Sequence, residues 1–145
     1  MWTTSRSGSV MPYVVNPDRV EKWPLEKHVG VTSKLLADGD NMTVLWSRWE
    51  PNASAPEHVH PHEQIGFCLE GEMVFTINGK DYTVHAGEYY HIPPSAPHAE
   101  RNDGRKAAIL TDFFSPVRSD LLQRHFDPEI VGNTAKESTP KGGER

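Results

Sequence analysis

Through the middle of the chain apolar and polar residues alternate in short runs, too brief for helices and with the period of two expected of half-buried strands. The predicted strands lie at Met42–Glu50, Ile65–Leu69, Met73–Ile77, Lys80–Val84, Glu88–Ile92, His98–Arg101 and Ala107–Phe114. Turn residues separate them. In Phe75-Thr76-Ile77-Asn78-Gly79-Lys80-Asp81-Tyr82 the Asn-Gly pair supplies the two positive-φ positions of a two-residue hairpin, and Gly71 serves the preceding connection. Helical signals are weak until Ser119, which caps a short predicted helix through Arg124 that Pro128 stops. Many short strands with close turns predict an all-β domain, a sandwich or a barrel, with helical trimming. Residues 1–10 and 132–145 lack periodic apolar content and read as flexible ends of a single domain over 11–131. A chain of 145 residues has room for one ordinary core and not for two.

Composition adds mainly exclusions. With 36% hydrophobic and 24% charged residues and a formal net charge of -5, the chain carries no basic footprint for nucleic acid or a membrane surface. No signal-like apolar core and no spanning stretch is present, so a cytoplasmic location is expected. The single cysteine, Cys68, has no internal partner, as suits a reducing compartment. The eight histidines are unevenly spread: His58, His60, His62 and His85 are followed closely by His91 and His98.

That unevenness points to chemistry. His58 and His60 are two residues apart, so on an extended strand both imidazoles leave the same face and reach one ion. Gln64 shares their parity, provided that Pro61 leaves the register intact. His98 enters a later strand from the Pro-rich turn Pro93-Pro94-Ser95-Ala96-Pro97. Three imidazoles and an amide oxygen suit one divalent first-row ion: nickel, zinc, iron, manganese or cobalt. Glu63 points to the opposite face unless a bulge follows Pro61. The parity of His62 allows an inward side chain. The apolar set Ile65, Phe67 and Leu69 faces away from the site and needs cover from another sheet or subunit.

The two segments resemble the paired signature motifs of the cupin superfamily. The first falls on Asn52, His58, His60, Gln64 and Gly71, the second on Gly87, Pro93, Ser95, His98 and Asn102. The resemblance covers roughly residues 40 to 118, with the motif core at 52–118, and implies a jelly-roll β-barrel, or double-stranded β-helix, with one metal ion held by His58, His60, Gln64 and His98. It makes no use of His62. Asn52 and Ser95 stand where the motifs have glycine; Asn tolerates left-handed backbone, and the prolines flanking Ser95 suggest a different turn there. Gln64 in place of the usual glutamate leaves the site without a carboxylate ligand and more electropositive.

With Leu110-Thr111-Asp112-Phe113-Phe114-Ser115-Pro116-Val117-Arg118, the chain further resembles the small KdgF-like cupins of pectin degradation, which open unsaturated cyclic uronates to linear keto sugars. Carried over, that resemblance makes Asp112 a general base, Phe114 a wall for the sugar ring and Arg118 an anchor for the substrate carboxylate. It also implies a small-molecule substrate and a homodimer. A metal-dependent dioxygenase, a polyketide-cyclase-like cupin and a non-catalytic ligand-binding cupin are the alternatives, because fold and site class do not supply a substrate.

Overall fold

The computed structural model describes residues 2–4 and 10–121, with side chains from residue 11 onward. Two short strands, β1 (Trp2–Thr4) and β2 (Val10–Pro12), pair antiparallel as a separate ribbon. A 3-10 turn at Pro17–Arg19 leads to β3 (Trp23–Pro24), β4 (Val29–Asp38), β5 (Thr43–His58), β6 (Glu63–Glu70), β7 (Glu72–Ile77) and β8 (Lys80–His85). The last three strands are β9 (Tyr89–Ile92), β10 (His98–Arg101) and β11 (Ala108–Ser115). A cis peptide joins Ser115 to Pro116, and residues 119–121 form one helical turn. The rest of the helix expected to Arg124, and the tail, lie outside the described residues. Among the described residues no helix is long and apolar enough to cross a membrane.

The strands run β8-β7-β10-β5-β11-β6-β9 in one antiparallel sheet, with β4 also paired to β5 and β3 to β4. β5 links the parts: Thr43–Trp49 lies between β4 and β11, while Ser54–His58 pairs with β10. The sheet thereby rolls into a nearly closed barrel. Its core gathers Val31, Trp49, Met73, Phe75, Ile92 and Leu110, each such burial contributing roughly 1.5–3 kcal/mol. Five strands exceed the sequence expectation. β1, within the end read as flexible, β2 and β3 match no expected strand. β4 was not anticipated, and β5 continues eight residues past Glu50, because Pro51 sits where the strand bends and not where it stops.

Local backbone geometry then aims the interior positions. Asn52 and Ser95 have φ of 66° and 62°, so both take the left-handed conformation that glycine adopts freely; the prolines around Ser95 do not impose a different turn. Buried Asn102 fastens this end of the barrel. Its side-chain amide donates to the carbonyls of Trp49 (3.0 Å) and Lys106 (2.9 Å), and its Oδ1 accepts from Gly104 N (2.9 Å). Between Ala55 and His58 β5 advances three residues while β10 advances two. That bulge moves His58 onto the interior face shared by Ala53 and Ala55.

Gly66 has a steric role. It lies opposite Tyr90, and a Cβ there would sit 2.0 Å from Tyr90 Cζ. The bare backbone lets the Tyr90 ring lie flat across β6, with its hydroxyl reaching Asp112 at 2.5 Å. We predict that Gly66→Ala destabilises the protein by about 1–3 kcal/mol through overpacking, measured by chemical denaturation. Wild-type stability in that variant would show that the ring is free to move.

Candidate metal centre

His58 closes β5, His98 opens β10, and His60 stands in the turn between β5 and β6, beyond the strand on which it was expected. Each ring is tethered through Nδ1 to a main-chain carbonyl: His58 to Pro56 at 2.8 Å, His60 to His62 at 3.0 Å and His98 to Ala96 at 2.8 Å. A carbonyl only accepts, so Nδ1 carries the proton in all three and each Nε2 is left with a lone pair. One ring nitrogen from each histidine lies within 4.8 Å of the others. Burial, opposed by the tethers, pulls all three below the usual imidazole range, to about 4 for His60 and His98. The rings are therefore neutral at pH 7. Fully buried His98 Nε2 has no hydrogen-bond partner.

Gln64 sharpens the case. Its Nε2 donates to Asp112 Oδ1 at 2.9 Å, which turns Oε1 toward His60 Nε2 at 3.2 Å. Two lone-pair atoms face one another there, an unfavourable contact that a cation between them converts to a favourable one. The reverse amide orientation would set Oε1 against the Asp112 carboxylate instead. Burial pushes Asp112 up to about 6, and its hydrogen bonds from Tyr90 and Gln64 hold it back from rising further. These donors fit a divalent first-row ion, with His58, His60, His98 and Gln64 able to hold it.

The centre opens into a cavity of about 910 Å3, a volume suited to a small molecule. Phe114 stands edge-on to His60 with ring centroids 5.7 Å apart. The Arg118 guanidinium stacks over Phe114 at 4.7 Å, and its Nε and Nη2 donate to Asp120 at 2.9 and 2.7 Å. The cavity lining thus brings together six of the seven residues singled out from the sequence, with His98 packed behind it against His58 and His60, although Arg118 already has a carboxylate partner in Asp120.

Glu63 points outward and pairs with His91 at 3.0 Å. His85 lies on the surface near Glu72 and Glu88. His62 is partly buried with Nδ1 unpartnered, and its ring centroid is 5.5 Å from that of His60.

Among the lining residues that the sequence reading did not single out, two approach the histidines of the centre. His28, in the β3–β4 loop, sits 6.1 Å from His58 and 5.6 Å from Trp49 between ring centroids. No motif marks it. Glu100, on β10, is 6% exposed and has Oε1 3.8 Å from His98 Nε2 and 3.9 Å from His58 Nε2. Its parity with His98 was the available signal. Burial, then the charge of Asp112, pushes the Glu100 carboxyl up to about 8.

Residues 45–114 match the family model of the cupin domain. The barrel and the histidine cluster are those of a cupin domain. The fold resembles that of KdgF: the solved structure of KdgF from Halomonas sp. superposes with a TM-score of 0.69 at 20% identity, covering 77% of this chain and 99% of that one. The HTH-type transcriptional regulator PuuR of Escherichia coli (strain K12) is 38% identical over 92 residues, 61% of this chain and 50% of that protein. Quercetin 2,3-dioxygenase of Bacillus subtilis (strain 168) is 26% identical over 104 residues, 70% and 31% of the two chains. The chain spans half the length of the regulator and about a third of the dioxygenase.

The raised Glu100 fixes the sign of a pH effect. A carboxyl raised from 4.5 to about 8 on folding favours the folded state below its unfolded pKa and loses that contribution as pH rises through the window. Relative to Glu100→Gln, the metal-free wild type should lose stability between pH 4.5 and 8, by at most about 1.4 kcal/mol per pH unit. Denaturant titrations across that range read the difference. Parallel stability curves for the two proteins would contradict it.

Proposed function

We propose that this cupin is a metal-dependent enzyme acting on a small oxygen-rich substrate, and that the substrate is an unsaturated cyclic uronate whose ring it opens. The observation that carries the reading is the convergence of three neutral imidazoles and the Gln64 amide oxygen, beside a buried carboxylate and an arginine at the mouth of the same cavity. A divalent ion there would polarise a substrate hydroxyl or carbonyl oxygen.

The protein's own groups supply the rest. Ring opening is an isomerisation with no net change in protons, so one group that accepts a proton and returns it suffices. Asp112, raised to about 6, is ionised and close to the ideal for a base at neutral pH. Its Oδ1 is engaged by Gln64 and Tyr90, which leaves Oδ2 for the substrate proton. Asp120 occupies two of the five N–H donors of Arg118 and fixes its plane, and the remaining donors capture the uronate carboxylate. Phe114 offers an apolar wall.

The higher identity to a regulator than to the dioxygenase favours one other reading, a cupin that binds its ligand without turning it over. Asp112→Asn separates the two. Asn retains Oδ1 as acceptor for Gln64 and Tyr90, so fold and metal content persist, while turnover falls about 10²- to 10⁴-fold. The assay follows loss of the ring form of an unsaturated uronate monosaccharide by NMR. Binding with no turnover by the metal-loaded wild type would establish the non-catalytic reading, and oxygen consumption would establish a dioxygenase.

We propose too that the protein is a homodimer through the outer face of β6, β9 and β11. Ile65 lies opposite Phe113 and Phe67 opposite Tyr89, and Ile65, Leu69, Tyr89 and Phe113 are exposed together. Light scattering at micromolar concentration should return twice the chain mass, and Ile65→Lys with Phe113→Lys should halve it. A monomeric wild type would refute the assignment.

A further inference from the structure

Gln64 stands where the cupin motif carries its acidic ligand, so the four donors considered so far bring no negative charge to a divalent ion. The interior holds a carboxylate that nothing else explains. Glu100 is 6% exposed, its Oε2 has no hydrogen-bond partner, and no lysine or arginine among the described residues forms an ion pair with it. Neither protonation state is satisfied: ionised, it is an unpaired buried charge, and neutral, it retains polar atoms without partners. Tyr90 and Gln64 both donate to Asp112.

Position supplies the explanation. On β10 His98 and Glu100 project inward, while Ala99 and Arg101 are less buried on the other face. Glu100 Oε1 is 3.8 Å from His98 Nε2 and 3.9 Å from His58 Nε2. Both separations exceed hydrogen-bond range, so no hydrogen bond joins Glu100 to either ring. Two donors bound to one ion at about 2.1 Å lie roughly 3.0 Å apart at a right angle and roughly 4.2 Å apart when opposed. Both observed separations fall inside that span.

We infer that Glu100 is a metal ligand, the carboxylate that completes and partly neutralises the centre in place of the motif acid replaced by Gln64. The inference rests on the reading of this cavity as a metal centre. It assigns the acidic donor to β10, two residues beyond the last histidine, with the Gln64 amide oxygen remaining as a neutral donor. Such a set is oxygen-richer than three histidines and an amide alone, which moves its preference toward harder ions such as manganese or iron.

The test uses cobalt(II) alone as the probe, on full-length protein first stripped with a chelator. Competition with a chelating dye gives the affinity, and the visible absorption of the bound ion reports its coordination. Glu100→Gln, nearly isosteric and relieved of a buried charge, should fold without metal yet bind cobalt at least about tenfold more weakly, with an altered spectrum. The metal-induced rise in Tm should shrink in parallel. Equal affinity and an identical spectrum in the folded variant would overturn the assignment of Glu100 while leaving the metal centre standing. Failure of the wild type to bind cobalt would overturn both. Should the variant not fold, wild-type protein carrying 13C-labelled glutamate settles the matter by infrared difference spectroscopy. Loading cobalt should shift one buried carboxylate stretch, and the absence of any shift would overturn the assignment.

Discussion

Asp112 decides which way Gln64 faces, and the rest of the centre follows from that. A carboxylate accepts hydrogen bonds, so it draws the amide nitrogen of Gln64 toward itself and leaves the amide oxygen aimed at His60. Inside a protein such a preference is strong, because the alternative sets two acceptors against each other where no water can intervene. Asp112 is held in turn by the Tyr90 hydroxyl, and Tyr90 reaches it only because β6 is bare at Gly66. A glycine on one strand thus sets the orientation of an amide through a phenol and a carboxylate. The carboxylate serves as both a structural acceptor and the proposed base.

The histidines follow the same logic of enforced polarity. Their Nδ1 protons are consumed by carbonyls two residues away in each case, so ring orientation and tautomer are fixed by the local backbone before any ligand arrives. Preorganisation of this kind lowers the cost of assembling a site. It also explains why His60 works from a turn: its carbonyl accepts from Ser95 N at 2.9 Å while its ring is held by His62. A turn fastened at both points positions a ring as firmly as a strand.

Much of this was legible in the sequence, and the failures have physical causes. Period-two alternation located β6, β7 and β10 to within about two residues, since one face of each meets the core, and the hairpin turn located β8, of which only Val84 is buried. The Asn78–Gly79 hairpin followed from the need for positive φ, observed at 49° and 80°. β4 escaped because its burial alternates only over its first half and then lapses at Lys34–Ala37. The full length of β5 was hidden by Pro51, which reads as a terminator in one dimension although in space it marks a bend. In the centre itself, paired motifs pointed to the histidines and Gln64, which the fold brings together. Glu100 carried the right parity but no motif, and His28 reaches the cavity through a loop whose path depends on how β3 and β4 fold over the barrel. No local pattern encodes that path.

The division between β5 and the loops around the mouth has an evolutionary consequence. Interior positions on β5, β6, β10 and β11 lie on strands paired along both edges, or nearly so, and a change at any one of them is felt across the barrel. The rim has no such obligations. His28 and its neighbours in the β3–β4 loop, with Arg118 and Asp120 after β11, meet the cavity without contributing to the sheet that closes it. Substitutions there alter what the cavity admits at little expense to folding, so the polar centre can be inherited intact while the rim drifts toward new ligands. One scaffold is thereby able to diversify by exchanging its outermost residues.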